Sequence, residues 1–201
     1  MKYGIFPCLL SGLLLCACTS APISYYTMLT DTVDDQSSDR HVSFALDVLP
    51  VGVPEQLDHS QLVIREGRSE VVILDSKRWT ASLGEEIRVA LSDRLTRHWH
   101  TIDASGLSDS GAERLLRIKL QLRRLDIWPN DQIVLQADWS MGFADTPETQ
   151  LNCRSQLEQP LHGGYESVAE GMQQLIARLA TDISVSLEAS RPMQCAQPAG
   201  E

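Results

Sequence analysis

Between Leu116 and Leu157 the chain alternates apolar and polar residues in three consecutive runs, and that period of two leaves few folds open. In the first run Leu116, Ile118, Leu120 and Leu122 point to one side, while Arg117, Lys119, Gln121 and Arg123 point to the other. The phase slips at Arg124, because Leu125 and Ile127 continue on odd numbers; a bulge or strong twist accounts for such a slip. Trp128-Pro129-Asn130-Asp131 reads as a turn. Ile133, Leu135, Ala137, Trp139, Met141 and Phe143 form the second run, and Leu151, Cys153, Ser155 and Leu157 the third. The three predict an antiparallel meander with Cys153 towards a core and the Arg117–Arg123 row on an exposed face.

Two helical stripes flank this meander. Leu83, Ile87, Leu91, Leu95 and Trp99 recur every four residues, with Ala90 beside them. Ser82 and Glu85 have capping-box spacing at the start of that stripe. Glu85 and Glu86 near its start, and Arg94, Arg97 and His98 near its end, suit the helix dipole. After Gly163-Gly164, the residues Val168, Met172, Leu175, Ile176, Leu179 and Ile183 mark a second helix reaching about Ala189, before Pro192.

Upstream, Tyr25 to Leu29 predicts a first strand and Asp31 to Arg40 a polar loop. Val42, Phe44, Leu46 and Val48 alternate as a strand, which ends at the prolines of Pro50-Val51-Gly52-Val53-Pro54. Leu62–Arg65 and Val71–Leu74 read as a hairpin around Glu66-Gly67-Arg68-Ser69. The expected class is α+β: a largely antiparallel sheet packed against two amphipathic helices in a single domain.

The amino terminus sets the compartment. Lys2 precedes an apolar stretch, Ile5 to Leu15, that is too short to span a bilayer permanently. It ends in Leu15-Cys16-Ala17-Cys18, the pattern read by the lipoprotein signal peptidase. Cys18 is therefore the expected acylation site, in contrast to an ordinary secretory peptide or a single anchor helix. Each acyl methylene buried in a bilayer contributes roughly 0.8 kcal/mol, so several chains on one residue hold firmly. Thr19, where an Asp would signal retention at the inner membrane, favours the outer membrane with the body in the periplasm. Residues 1–17 are thus read as signal peptide, 18–30 as lipidated N-terminus and first strand, 22–190 as the domain and 191–201 as a C-terminal tail.

Cleavage leaves Cys153 and Cys195 as the two remaining thiols. Either they pair across a loop of about 43 residues, a closure worth roughly 4 kcal/mol on the chain-entropy model, or one is buried and the other lies in a loose tail. A formal net charge of -10 argues against nonspecific nucleic-acid binding. Contact with lipid beyond the anchor then has to be mainly apolar, or made by a local basic patch. No G-x-S-x-G, H-E-x-x-H or phosphate-cradling glycine loop occurs, and His98 and His100 lack companions that would complete a metal site. No catalytic residue, metal or cofactor is expected. Trp128 and Trp139, like Tyr25 and Tyr26, carry two readings, as packing residues or as a surface for a partner or acyl chain.

Three stretches, taken in order, resemble a known family. They are Tyr25-Tyr26-Thr27-Met28-Leu29; Val48-Leu49-Pro50-Val51-Gly52-Val53-Pro54-Glu55-Gln56-Leu57-Asp58, continuing through Gln61 to Arg65; and Arg78-Trp79 shortly before the Leu83–Trp99 stripe. Together they are similar to the auxiliary lipoproteins of ABC-type transport systems, of the PqiC/YmbA type. His59-Ser60 stands where that family often has Arg-Pro. The resemblance implies a noncatalytic outer-membrane lipoprotein that works with a periplasm-spanning MCE-domain protein in phospholipid traffic and envelope integrity. Cys18 carries over as the acylation site. Leu57, Asp58, Arg78 and Trp79 carry over as pattern positions, read first as structural: Asp58 to cap or fix a turn and Trp79 to close one end of the core. The ring-forming habit of MCE proteins makes a homo-oligomer compatible with this reading, and phospholipid itself a candidate ligand. The alternative from a different class is an accessory lipoprotein for outer-membrane protein or envelope biogenesis.

Overall fold

A computed structural model describes residues 22–30, 42–107, 111–112, 114–146, 148–188 and 194–195. The expected signal peptide, Cys18, the expected polar loop from Asp31 to Arg40 and most of the expected C-terminal tail lie outside the described residues.

The alternating runs form β5 (Arg114–Trp128), β6 (Gln132–Phe143) and β7 (Leu151–Pro160), paired antiparallel in sequence order. The register of β5 against β6 shifts between Leu122 and Arg124, where the apolar phase slips in the sequence. The bulge lets Leu125 and Ile127 return to the buried side. Asn130 takes the left-handed conformation (φ 64°) in the β5–β6 turn, and its Oδ1 accepts from the Gly164 amide at 2.9 Å. This bond ties the turn to the start of the second helix.

The strands divide into two sheets, with orders β1-β4-β3 and β2-β5-β6-β7. β2 (Phe44–Val48) runs parallel to β5, and the short β1 (Ser24–Tyr26) runs parallel to β4 (Val71–Trp79). β3 (Gln61–Arg65) completes the smaller sheet as the antiparallel partner of β4. β4 extends five residues past Leu74, through Asp75-Ser76-Lys77. Its polar end is recruited by pairing with β1, a tertiary contact that side-chain alternation does not encode. The first strand is correspondingly shorter than expected, because Met28 leaves the ladder and enters the core.

Helix α1 spans Leu83–Trp99 and α2 spans Gly164–Glu188. Their apolar stripes, including Leu91, Leu95, Leu175 and Leu179, join the inner faces of both sheets in one core. The capping box does not form. Ser82 is the N-cap but makes no side-chain cap hydrogen bond, and Glu85 pairs instead with Arg88 at 2.7 Å. Arg88, one turn along the helix, offers that carboxylate a forked guanidinium, a stronger partner than a backbone amide. At the other end His100 adopts the left-handed conformation (φ 48°) and closes the helix through its amide.

Leu91 is fully buried where α1 meets the sheets. Leu91→Ala is expected to lower unfolding free energy by about 2–5 kcal/mol in urea titration, from lost transfer energy and the cavity left behind.

Candidate functional site

The first described segment of the chain is built into the fold by a buried acid. Glu86 lies on the inner side of α1 and is 5% exposed. Its carboxylate accepts from Thr27 Oγ1 at 3.1 Å, from the Met28 amide at 2.8 Å and from Thr80 Oγ1. A buried carboxylate is costly unless hydrogen-bonded, and these three donors offset the cost. From the other helix, Gln173 Nε2 donates to the carbonyls of Thr27 and Leu29 at 3.1 and 3.0 Å. Met28 between them is fully buried. The Thr80 amide donates to the Tyr26 carbonyl at 3.0 Å, continuing the β1–β4 pairing. Both helices and β4 therefore grip the first described residues of the chain.

Tyr25 projects outward, 61% exposed, opposite Arg78 in the β1–β4 register. Tyr26 is partly buried against the core, with Lys77 Nζ 5.9 Å from its ring centroid. Arg78 donates to the Asp75 carbonyl at 2.9 Å, and Trp79 is buried at the end of β4.

The proline-bounded stretch after β2 continues along the edge of β5. The amides of Leu49 and Gly52 donate to the carbonyls of Ile118 and Leu120, and the Leu122 amide donates back to Gly52. Gly52 leaves room there for the Gln121 carboxamide, whose Oε1 would lie 2.0 Å from a Cβ at this position. A 3-10 turn, Glu55–Leu57, follows; Leu57 packs against the core and Asp58 is exposed at its end. Gly84, at the start of α1, fits under this loop: a Cβ there would sit 3.1 Å from the Val51 carbonyl oxygen. These positions hold the loop against the helix.

The outer face of the larger sheet carries a set of charges paired across its strands. Arg123 and Arg154 converge on Asp138 at 2.7 and 2.6 Å, bridging three strands, and Arg117 pairs with Asp47 at 2.9 Å. Lys119 is exposed and has no ion-pair partner among the described residues. A shallow depression of about 650 Å³ lies on this face. Lys119, Arg123 and Arg154 line it against a single carboxylate, Asp138, so the depression is locally basic in an acidic chain. The hydrogen bonds from Arg154 and Arg123 hold the Asp138 carboxyl at about 2, well below the usual carboxylate value.

Cys153 and Cys195 are joined at 2.04 Å, with Cα atoms 5.6 Å apart, and both border the same depression. Trp139 is buried on the inner face and donates from Nε1 to Ser155 Oγ at 3.1 Å; Ser155 in turn donates to Asp182. Trp128 is half-buried, with the Arg65 guanidinium 5.7 Å from its ring centroid. Arg65 and Arg124 both pair with the buried Asp126, so an acid of β5 ties the two sheets together. The sequence pattern marks neither Asp126 nor Gln173 and gives Glu86 only a place at the positive end of the helix. An acid at a helix start and one on a strand look like solvated charges until the fold buries them. Among the described residues no group of histidine, cysteine and carboxylate side chains could hold a metal ion, and no helix is long and apolar enough to cross a membrane.

The family model for the ABC-type transport auxiliary lipoprotein component matches residues 26–184. The chain belongs to that family and is an auxiliary lipoprotein component of a transport system. No curated protein sequence matches it. The crystal structure of an uncharacterized protein is similar in fold, with TM-score 0.66 and 17% identity over 85% of this chain and 100% of that one. Protein XCC0632 from Xanthomonas campestris is also similar, with TM-score 0.59 and 12% identity over 84% of this chain and 96% of that one.

Glu86→Ala is expected to cost about 1–3 kcal/mol, the penalty for leaving a buried donor unsatisfied at the Met28 amide. Urea titration reads the loss, and hydrogen exchange at Met28 should accelerate more than at Leu91. Asp138 has a depressed folded-state pKa, so its contribution is complete above the ordinary 3.8 and disappears as pH falls through about 2. A carboxyl-detected NMR titration should place its midpoint near 2. In the Arg154→Ala variant that midpoint should move up towards 3.8.

Proposed function

We propose that the chain is the outer-membrane lipoprotein of an MCE-type intermembrane phospholipid transport system. Acylated on Cys18 and facing the periplasm, it docks the periplasm-spanning MCE-domain partner at the outer membrane and contributes no chemistry of its own. The observation that carries this reading is the grip on the segment after the anchor. Glu86 and Gln173 bond Thr27–Leu29 into the core, so only eight residues lie between Cys18 and the gripped segment. That construction suits a stationary attachment point. Family membership supports the transport setting.

The outer face of β5–β7 is the surface offered to the partner. It is open, stiffened by the Arg123–Asp138–Arg154 ladder and basic around Lys119, so it favours an acidic patch on the other protein. Two ionic groups held by short hydrogen bonds lose little further freedom when a partner covers them.

A photo-crosslinking residue at Lys119 in the acylated protein, expressed in its own cells, tests the reading. Mass spectrometry should recover an MCE-domain protein, and the yield should fall when Arg117 and Arg123 are changed to Glu. Recovery of only an outer-membrane barrel or its assembly factors would overturn the transport reading in favour of a biogenesis accessory. Phospholipid copurifying with the complex would show that cargo is handled at this subunit.

A further inference from the structure

The small sheet has an outer face that the core does not use. Leu62, Ile64, Val72 and Leu74 point inward, which turns the alternate residues of the hairpin away from the core. There Val71 is 54% and Ile73 52% exposed, and Val63 stands beside Ile73 in the register. At the opposite end of the sheet Tyr25 and Ile23 are exposed as well, at 61% and 49%. Scattered exposed apolar residues are ordinary, whereas a row of them on one sheet face marks a contact surface.

The tether identifies the occupant. Ser24 lies six steps along the chain from Cys18, and an extended chain spans at most about 3.5 Å per residue, so Cys18 lies within roughly 20 Å of β1. β1 runs parallel to β4 with Ser24 beside Lys77, so its amino-terminal end is directed towards Ile73 and Val71. From Lys77 back to Val71 is again six residues, a strand length of about 20 Å. The amino-terminal end of β1, from which the chain leads back to Cys18, thus points along the sheet towards the apolar end of the hairpin. The clamp at Thr27–Leu29 prevents the domain from swinging away on a longer leash.

We infer that this outer face, centred on Val71, Ile73 and Tyr25, rests on the lipid surface beside the acyl chains and fixes the domain's orientation on the membrane. The inference rests on acylation at Cys18. The attraction is apolar: the exposed hairpin tip carries Glu66 and Glu70 against Arg68, which gives no net pull towards anionic headgroups. Aliphatic tips enter the headgroup boundary, and the tyrosine ring suits the interface with its hydroxyl in water. In this orientation the lipid surface sets the small sheet, and the basic face of the larger sheet is left for a protein.

The test uses the full acylated chain, purified in detergent and reconstituted into vesicles of phosphatidylcholine and phosphatidylethanolamine. A single environment-sensitive fluorophore is placed at Val71→Cys or Ile73→Cys, with Val185→Cys on α2 as the control. On reconstitution the labels at 71 and 73 should shift to the blue, lose intensity to a lipid-borne nitroxide and resist aqueous iodide; the label at 185 should remain open to iodide. Full iodide access at 71 and 73 in protein that mass spectrometry shows to be acylated overturns the inference while leaving the anchor intact. A blue shift already present in detergent, with a multimeric mass, assigns the face to a second copy and also overturns it. An unmodified Cys18 removes the anchor and the inference together. Ile73→Asp should abolish the nitroxide quenching at 71 without changing the thermal midpoint, since Ile73 packs against nothing in the core.

Discussion

A carboxylate that is almost out of reach of water organises the amino-terminal part of the described fold. Glu86 is tolerated in the core only because Thr27, Met28 and Thr80 all donate to it. Those donors come from the chain entering the fold and from the turn between β4 and α1. The acid thus requires both to be in place, and in return the entering chain loses its freedom. Gln173 repeats the logic from α2 with two bonds to backbone carbonyls. What would otherwise be a frayed terminus becomes a fourth partner to the helices and the small sheet. For a protein whose acylation is expected at Cys18, this leaves only eight residues between that cysteine and the fixed segment.

The two sheets then present outer faces of different character. The larger one shows a charged outer face, with arginines from β5 and β7 sharing the Asp138 carboxylate of β6. Cross-strand pairing of this kind is strong in geometry and modest in energy at an exposed site, so its effect is rigidity of the surface more than stability of the fold. The smaller sheet shows a largely apolar outer face at its hairpin end. Asp126 binds Arg65 of the small sheet and Arg124 of the large one, keeping the two faces in a set relation. The proposed contacts, lipid on one side and protein on another, require such a relation, because both must be satisfied together.

Several features were legible residue by residue. The slip at Arg124 announced a bulge, because a strand cannot change which side is apolar without an extra residue. The stripes of Leu83–Trp99 and Val168–Ile183 announced both helices, since a four-residue recurrence suits no other regular structure. Where reading failed, distance was the cause. Ser82 and Glu85 have capping-box spacing, but Arg88 competes for the acid and wins. The polar end of β4 looks like a loop until β1 arrives from about fifty residues earlier to complete its ladder. The resemblance carried by Tyr25–Leu29, the Val48–Arg65 stretch and Arg78-Trp79 was legible too, and those stretches prove to be neighbours around the start of α1.

By itself the sequence determined periodicity: which residues alternate, which recur every four, where proline and glycine interrupt them, and that a short apolar leader ends at a cysteine. These are local properties, readable because backbone geometry imposes its period on any chain. Tertiary structure alone decided which polar groups are buried and which strands meet at long range. Glu86, Asp126 and Gln173 are ordinary surface residues by type. They became structural because packing removed water from around them and left other parts of the chain as their remaining partners. The division of the strands into two sheets, one face basic and the other apolar, follows from the same cause: alternation says that a strand has two sides, and only the assembled core says which neighbour each side will have.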